Sequence, residues 1–148
     1  MNAHPEIPML LRDAHWRAID DANRWRGRCV NYFARGEWII GQALSSMASE
    51  KPLPMLLSQR VARLDTLVKD QPKKLAALGE FQLLANDRNS IVHGAGKVFV
   101  DAEGRWMLIL EVLDRSGPRR DQVMQDDAEA KARRFKSAVD KLSAAFPF

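Results

Sequence analysis

Arg88, Asn89 and His93 stand close together in Arg88-Asn89-Ser90-Ile91-Val92-His93, and their types suit acid–base chemistry on a charged ester. Histidine changes charge near neutral pH, so His93 can take or give a proton. Arg88 is a permanent planar cation whose fork of N–H groups matches phosphate oxygens. Asn89 adds an amide able to donate and accept. The other histidines offer less: His4 sits among the first residues and His15 adjoins Trp16, neither with a partner visible in the sequence. No Gly-rich phosphate loop, Gly-x-Ser-x-Gly elbow or His-Glu-x-x-His pair occurs, which removes several readable enzyme classes.

The elements that must position this segment follow from apolar periodicity. Residues Met9 to about Met47 carry Leu11, Trp16, Ile19, Trp25, Cys29, Phe33, Ile40, Leu44 and Met47, mostly three or four apart, which predicts a helix. Gly27, Gly36 and Gly41 weaken it, so a break or kink near Gly27 or Gly36 is expected. Lys51-Pro-Leu-Pro54 ends that helix. A second begins near Met55 with Leu56, Leu57, Val61, Leu64, Leu67 and Val68 on its apolar side. Pro72 opens a third, which carries Leu75, Leu78, Phe81, Leu83, Leu84 and Ile91 to a left-handed glycine cap near Gly94-Ala95-Gly96. The Arg88–His93 segment then occupies the last turns of that helix.

The period changes after it. Lys97–Val100 and Arg105–Leu113 are rich in strand formers and flank Asp101-Ala-Glu-Gly104, which predicts a β-hairpin. Arg115–Arg120 is expected as a polar, basic loop able to meet phosphates. Asp126 or Asp127 is expected to cap a last helix bearing Ala128, Ala132, Phe135, Val139, Leu142 and Phe146 on one face. Its Lys131, Arg133, Arg134 and Lys136 then form a solvated face.

Arg88, polar Asn89 and His93 near the end of a helix resemble the ribonuclease motif of the HEPN family, whose members are helical bundles. The order of helices, with a last amphipathic helix after the motif, is similar in outline over most of the chain. The hairpin is an addition to that outline. The resemblance implies a metal-independent endoribonuclease in which the RNA's own 2′-hydroxyl attacks the phosphate. In it His93 is general base or acid, Arg88 binds the scissile phosphate and Asn89 positions it. It implies no cofactor, a homodimer whose two motifs meet in one cleft, RNA as substrate, and a toxin or phage-defence role with an antitoxin partner. Spacing agrees with a shared cleft, since five residues of ideal helix turn through about 500° and leave Arg88 and His93 about 140° apart. Two alternatives stand beside this reading. One is a non-catalytic dimeric module of the same fold that binds RNA, a nucleotide or a partner protein; the other is a helical scaffold in which Arg88 and His93 are structural. Asp87 and Glu37 are candidates to steer the motif or ordinary surface charges.

Composition sets the bounds. The 148 residues, 46% of them hydrophobic, suit one domain spanning 1–148 with a real core. Net charge +4 is a mild bias toward a polyanionic partner. Cys29 is the only cysteine, so neither an internal disulfide nor a thiolate zinc site is available, and a buried apolar role is expected. The N-terminal segment lacks the pattern of a secretory signal and no apolar run approaches a membrane span, so a cytoplasmic protein is expected. Trp16, Trp25, Trp38 and Trp106 are spaced as core or dimer-interface residues rather than as base-stacking platforms.

Overall fold

The computed structural model describes residues 9–48 and 52–148, with side chains described from Leu11 onward. Helix α1 (Met9–Met47) is followed by α2 (Leu57–Leu67), α3 (Pro72–Gln82) and α4 (Ala85–His93). Strands β1 (Ala95–Val100), β2 (Trp106–Asp114) and β3 (Gly117–Met124) precede α5 (Gln125–Ala145). The chain is thus mainly helical, with a small antiparallel sheet in the order β1-β2-β3 before the last helix. Among the described residues, no helix is long and apolar enough to cross a membrane.

Helix α1 runs through Gly27, Gly36 and Gly41 without the break expected there. Its buried seam is Ala18, Ala22, Trp25, Cys29, Phe33, Gly36, Ile40 and Leu44, spaced three or four residues apart. Leu11, Trp16 and Met47, read from the sequence as part of that stripe, are exposed. Gly36 is explained by packing: a Cβ there would lie 2.4 Å and 2.7 Å from two ring carbons of buried Phe81. That ring is itself wedged beside Phe33. Gly36→Ala should therefore lower stability by about 1–3 kcal/mol through overpacking. An unchanged urea midpoint would contradict that packing.

Helix α5 lays Ala128, Ala132, Phe135, Ala138, Val139 and Leu142 against α1 and α3, as its stripe predicts. Phe135 is fully buried with its ring centroid 4.9 Å from that of Phe33. Trp25 crosses from α1, donating from Nε1 to the Ala128 carbonyl at 2.7 Å while its ring packs on Trp106 of β2. Two of the four tryptophans are thus core residues, whereas Trp16 and Trp38 are exposed. Asp126 and Asp127 stand in the first turn of α5 but supply no side-chain cap; the cap position belongs to Met124. There the carboxylates still meet the positive end of the helix dipole. Cys29 is buried, as expected, and burial pushes its thiol up to about 12, so it remains protonated at neutral pH.

The expected hairpin is a three-stranded sheet. Asp101 Oδ1 accepts from the backbone N–H groups of Glu103 and Arg105, both at 2.9 Å, and Gly104 takes φ +78° to close the β1–β2 turn. Gly117, at φ +106°, closes the next turn, and the segment read as the loop Arg115–Arg120 begins β3. Pro118 is tolerated because β3 is an edge strand. The alternation of β3 escapes a hydrophobicity reading because the half-buried residues are Arg119 and Asp121, with only Val123 apolar and buried.

The third helix expected to reach the motif is divided. Helix α3 stops at Gln82, and Leu83–Leu84 form a turn in which the Leu84 N–H donates to the Phe81 carbonyl at 3.1 Å. Helix α4 is therefore a separate nine-residue element lying against α1 and β2. Gly94 closes it in an extended conformation (φ −69°, ψ 141°), not the expected left-handed one. The need for glycine is steric, since a Cβ would sit 2.4 Å from the Ser90 carbonyl oxygen and 3.1 Å from Leu110 Cβ.

Candidate functional site

The three residues singled out from the sequence all lie on α4 and point to different surroundings. Arg88 is half-buried, its side chain 19% exposed, and its Nε donates to Glu37 Oε1 of α1. Its Nη1 donates to Asn89 Oδ1 at 3.0 Å. Among the described residues, Nη2 makes no hydrogen bond. The guanidinium is held on two sides with one edge left over, and the Asn89 amide nitrogen keeps its own donors.

Arg88 and Asn89 line a cleft of about 390 Å³ walled by Phe33, Leu57, Val61 and Phe81. His93 does not line it. The imidazole is exposed at the last residue of α4, with no hydrogen bond or ion pair among the described residues. One copy of the chain therefore brings Arg88 and Asn89 together and leaves His93 apart, as the angular offset along a helix requires.

Glu37 had only equal standing with Asp87 in the sequence. It is the carboxylate that orients Arg88, whereas Asp87 accepts from Arg134 Nη2 of α5 at 2.8 Å. Arg134 is thus part of the anchoring of α4 rather than wholly a solvated charge.

Two anchors escape the sequence altogether. Arg26 of α1 donates from Nε to the Ile91 carbonyl at 2.8 Å and from Nη2 to the Gly94 carbonyl. This cation meets the carbonyl end of α4, where unpaired acceptors and the helix dipole both favour it. Ser90, inside the motif, is 2% exposed, and its hydroxyl meets the Asn86 carbonyl at 3.0 Å and the Asp121 carboxylate. Arg119 Nη2 donates to the same oxygen at 2.8 Å, and its Nη1 to Asp114 at 3.1 Å. Arg119 is therefore bound into the fold, while Arg120 remains exposed near Glu111. No local spacing announces the contacts of Arg26 with α4 or of Ser90 with Asp121 and Arg119, since those partners lie about thirty residues or more away along the chain.

Among the described residues, no group of three histidine, cysteine, aspartate or glutamate side chains is placed to hold a metal ion. No protein-family profile, curated protein or solved structure matches the chain. The functional reading accordingly rests on the residues of α4 and what surrounds them.

Proposed function

We propose that the chain is a metal-independent endoribonuclease of HEPN type, acting as a homodimer in which two copies of α4 build one cleft. The observation that carries the reading is the pairing of an oriented, partly free Arg88 with an exposed, unengaged His93 on a single anchored helix. His93 of one copy takes the proton of the RNA 2′-hydroxyl as that oxygen attacks the adjacent phosphorus. The bond from phosphorus to the 5′-oxygen breaks, and His93 of the second copy protonates the departing oxygen. The products are a 2′,3′-cyclic phosphate and a 5′-hydroxyl, and solvent returns each imidazole to its starting state. Arg88 meets the negative charge that builds on the phosphoryl oxygens, an effect strongest where donors are fixed in advance. Asn89 holds the guanidinium through Oδ1 and offers its amide N–H groups to the phosphate. A toxin or phage-defence setting with an antitoxin partner, in the cytoplasm, goes with the family resemblance.

The surface that suits dimerisation is Met55, Leu56 and Leu83, exposed large apolar side chains on the segments that border the Arg88 cleft. Sedimentation at micromolar concentration should give twice the monomer mass. The reading is tested by incubating purified protein with RNA in EDTA and examining the product ends. Cleavage to cyclic phosphates supports it; cleavage that stops with EDTA and leaves 5′-phosphates overturns it.

One observation favours a non-catalytic module. Arg88 already has a carboxylate partner in Glu37 and is largely covered. Under that reading the same face binds RNA, a nucleotide or a partner protein without cutting, and purified dimer retains RNA intact.

A further inference from the structure

The cleft beside Arg88 has features that the cleavage chemistry does not use. Its wall of Phe33, Leu57, Val61 and Phe81 is apolar, and among the described residues the one charged side chain lining it is the Arg88 cation. Ser58 and Gln82 stand exposed at its margin, and Asn89 lies beside Arg88. The volume of about 390 Å³ falls within the range of small-ligand sites. An apolar cleft with carboxamides and one cation among its lining fits a ligand with an apolar body, hydrogen-bonding edges and an attached anion. A nucleobase carrying a phosphate has that chemistry, and enzymes that take a base out of its stack hold it between apolar walls and read its edge by hydrogen bonds. A fatty carboxylate would satisfy the wall and the cation but leave Gln82 without a role.

We infer that this cleft binds the base of the nucleotide on the 5′ side of the scissile phosphate, and so sets which base the enzyme cuts after. This assignment rests on the ribonuclease reading, whereas nucleotide binding in the cleft is testable without cleavage. In this arrangement the 3′-phosphate of the bound nucleotide is the group that Arg88 and Asn89 meet, while Gln82 and Ser58 read the base edge.

The test titrates the full-length protein with the four nucleoside 3′-monophosphates, the matching nucleosides, inorganic phosphate and octanoate. At least one 3′-monophosphate should bind tenfold or more tightly than inorganic phosphate and than its own nucleoside. Ser58→Trp, which fills the margin from an exposed position on α2, should raise that Kd at least tenfold. Gln82→Trp does the same from α3 and covers the case in which the first variant folds poorly. Equal affinity for phosphate and every nucleotide overturns the inference, as does octanoate binding without nucleotide binding, or nucleotide binding untouched in both folded variants. Nucleotide binding that both variants weaken, in a protein that cuts no RNA, upholds the pocket and removes the nuclease reading. RNA cleavage indifferent to base, with no nucleotide bound, upholds the nuclease and removes the pocket.

Discussion

His93→Ala should reduce RNA cleavage by about 10²–10⁴-fold, the usual contribution of a positioned acid or base. The effect should lie at the upper end, because in a two-fold cleft one substitution removes both the base and the acid. Stability should barely change. The imidazole is exposed, and among the described residues it makes no hydrogen bond or ion pair, so its removal opens no cavity and orphans no partner. A variant with unaltered urea unfolding and lost cleavage assigns His93 to chemistry. A variant that cuts within a few-fold of the parent removes it from the mechanism, and one that loses its fold would show a structural role that its exposure does not predict.

Arg88→Ala should cost about 10²–10³-fold in cleavage, comparable with deleting a preorganised donor to a developing oxyanion. Here the fold should also suffer, since Glu37 loses its partner and Asn89 Oδ1 its donor. Arg88→Lys separates the two contributions. Lysine keeps the charge opposite Glu37 but lacks the fork that reaches Glu37, Asn89 and a phosphate together. Stability should recover in Arg88→Lys while cleavage stays well below that of the parent. Recovery of both would show that Arg88 serves only as a charge against Glu37.

The elements legible in the sequence were those whose buried face is apolar throughout. Helix α5 was readable because Ala128, Ala132, Phe135, Val139 and Leu142 keep a helical period against a polar remainder. Strands β1 and β2 were readable from their run of strand formers. Strand β3 was not, because its inward positions hold Arg119 and Asp121, which are tolerable there only through Ser90 and Asp114. The division between α3 and α4 was hidden for a different reason. Leu83 and Leu84 continue an apolar pattern, yet Leu84 is buried and Leu83 is 84% exposed, so the chain turns where periodicity alone says it continues. The unbroken α1 shows the converse error. By propensity alone a glycine is a weak point in a helix, whereas Gly36 is the gap into which Phe81 fits.

At the candidate site, residue types were legible and their partners were not. Arg88, Asn89 and His93 could be named because their chemistry is local to six residues. Glu37, Arg26 and Asp121, which orient and anchor that helix, come from α1 and β3, and only the fold brings them to it. The apolar cleft is likewise assembled from α1, α2 and α3, with Arg88 and Asn89 contributed by α4.

The shared cleft is tested most directly by a heterodimer of the wild-type chain with the double variant Arg88→Ala, His93→Ala, purified through two different tags and assayed on RNA in EDTA. It retains one Arg88 and one His93. If the two copies of α4 act as a unit, cleavage per wild-type chain falls well below half that of the wild-type dimer, because groups that work together lose activity non-additively. Full activity per wild-type chain would contradict the shared cleft and place a complete site within each protomer.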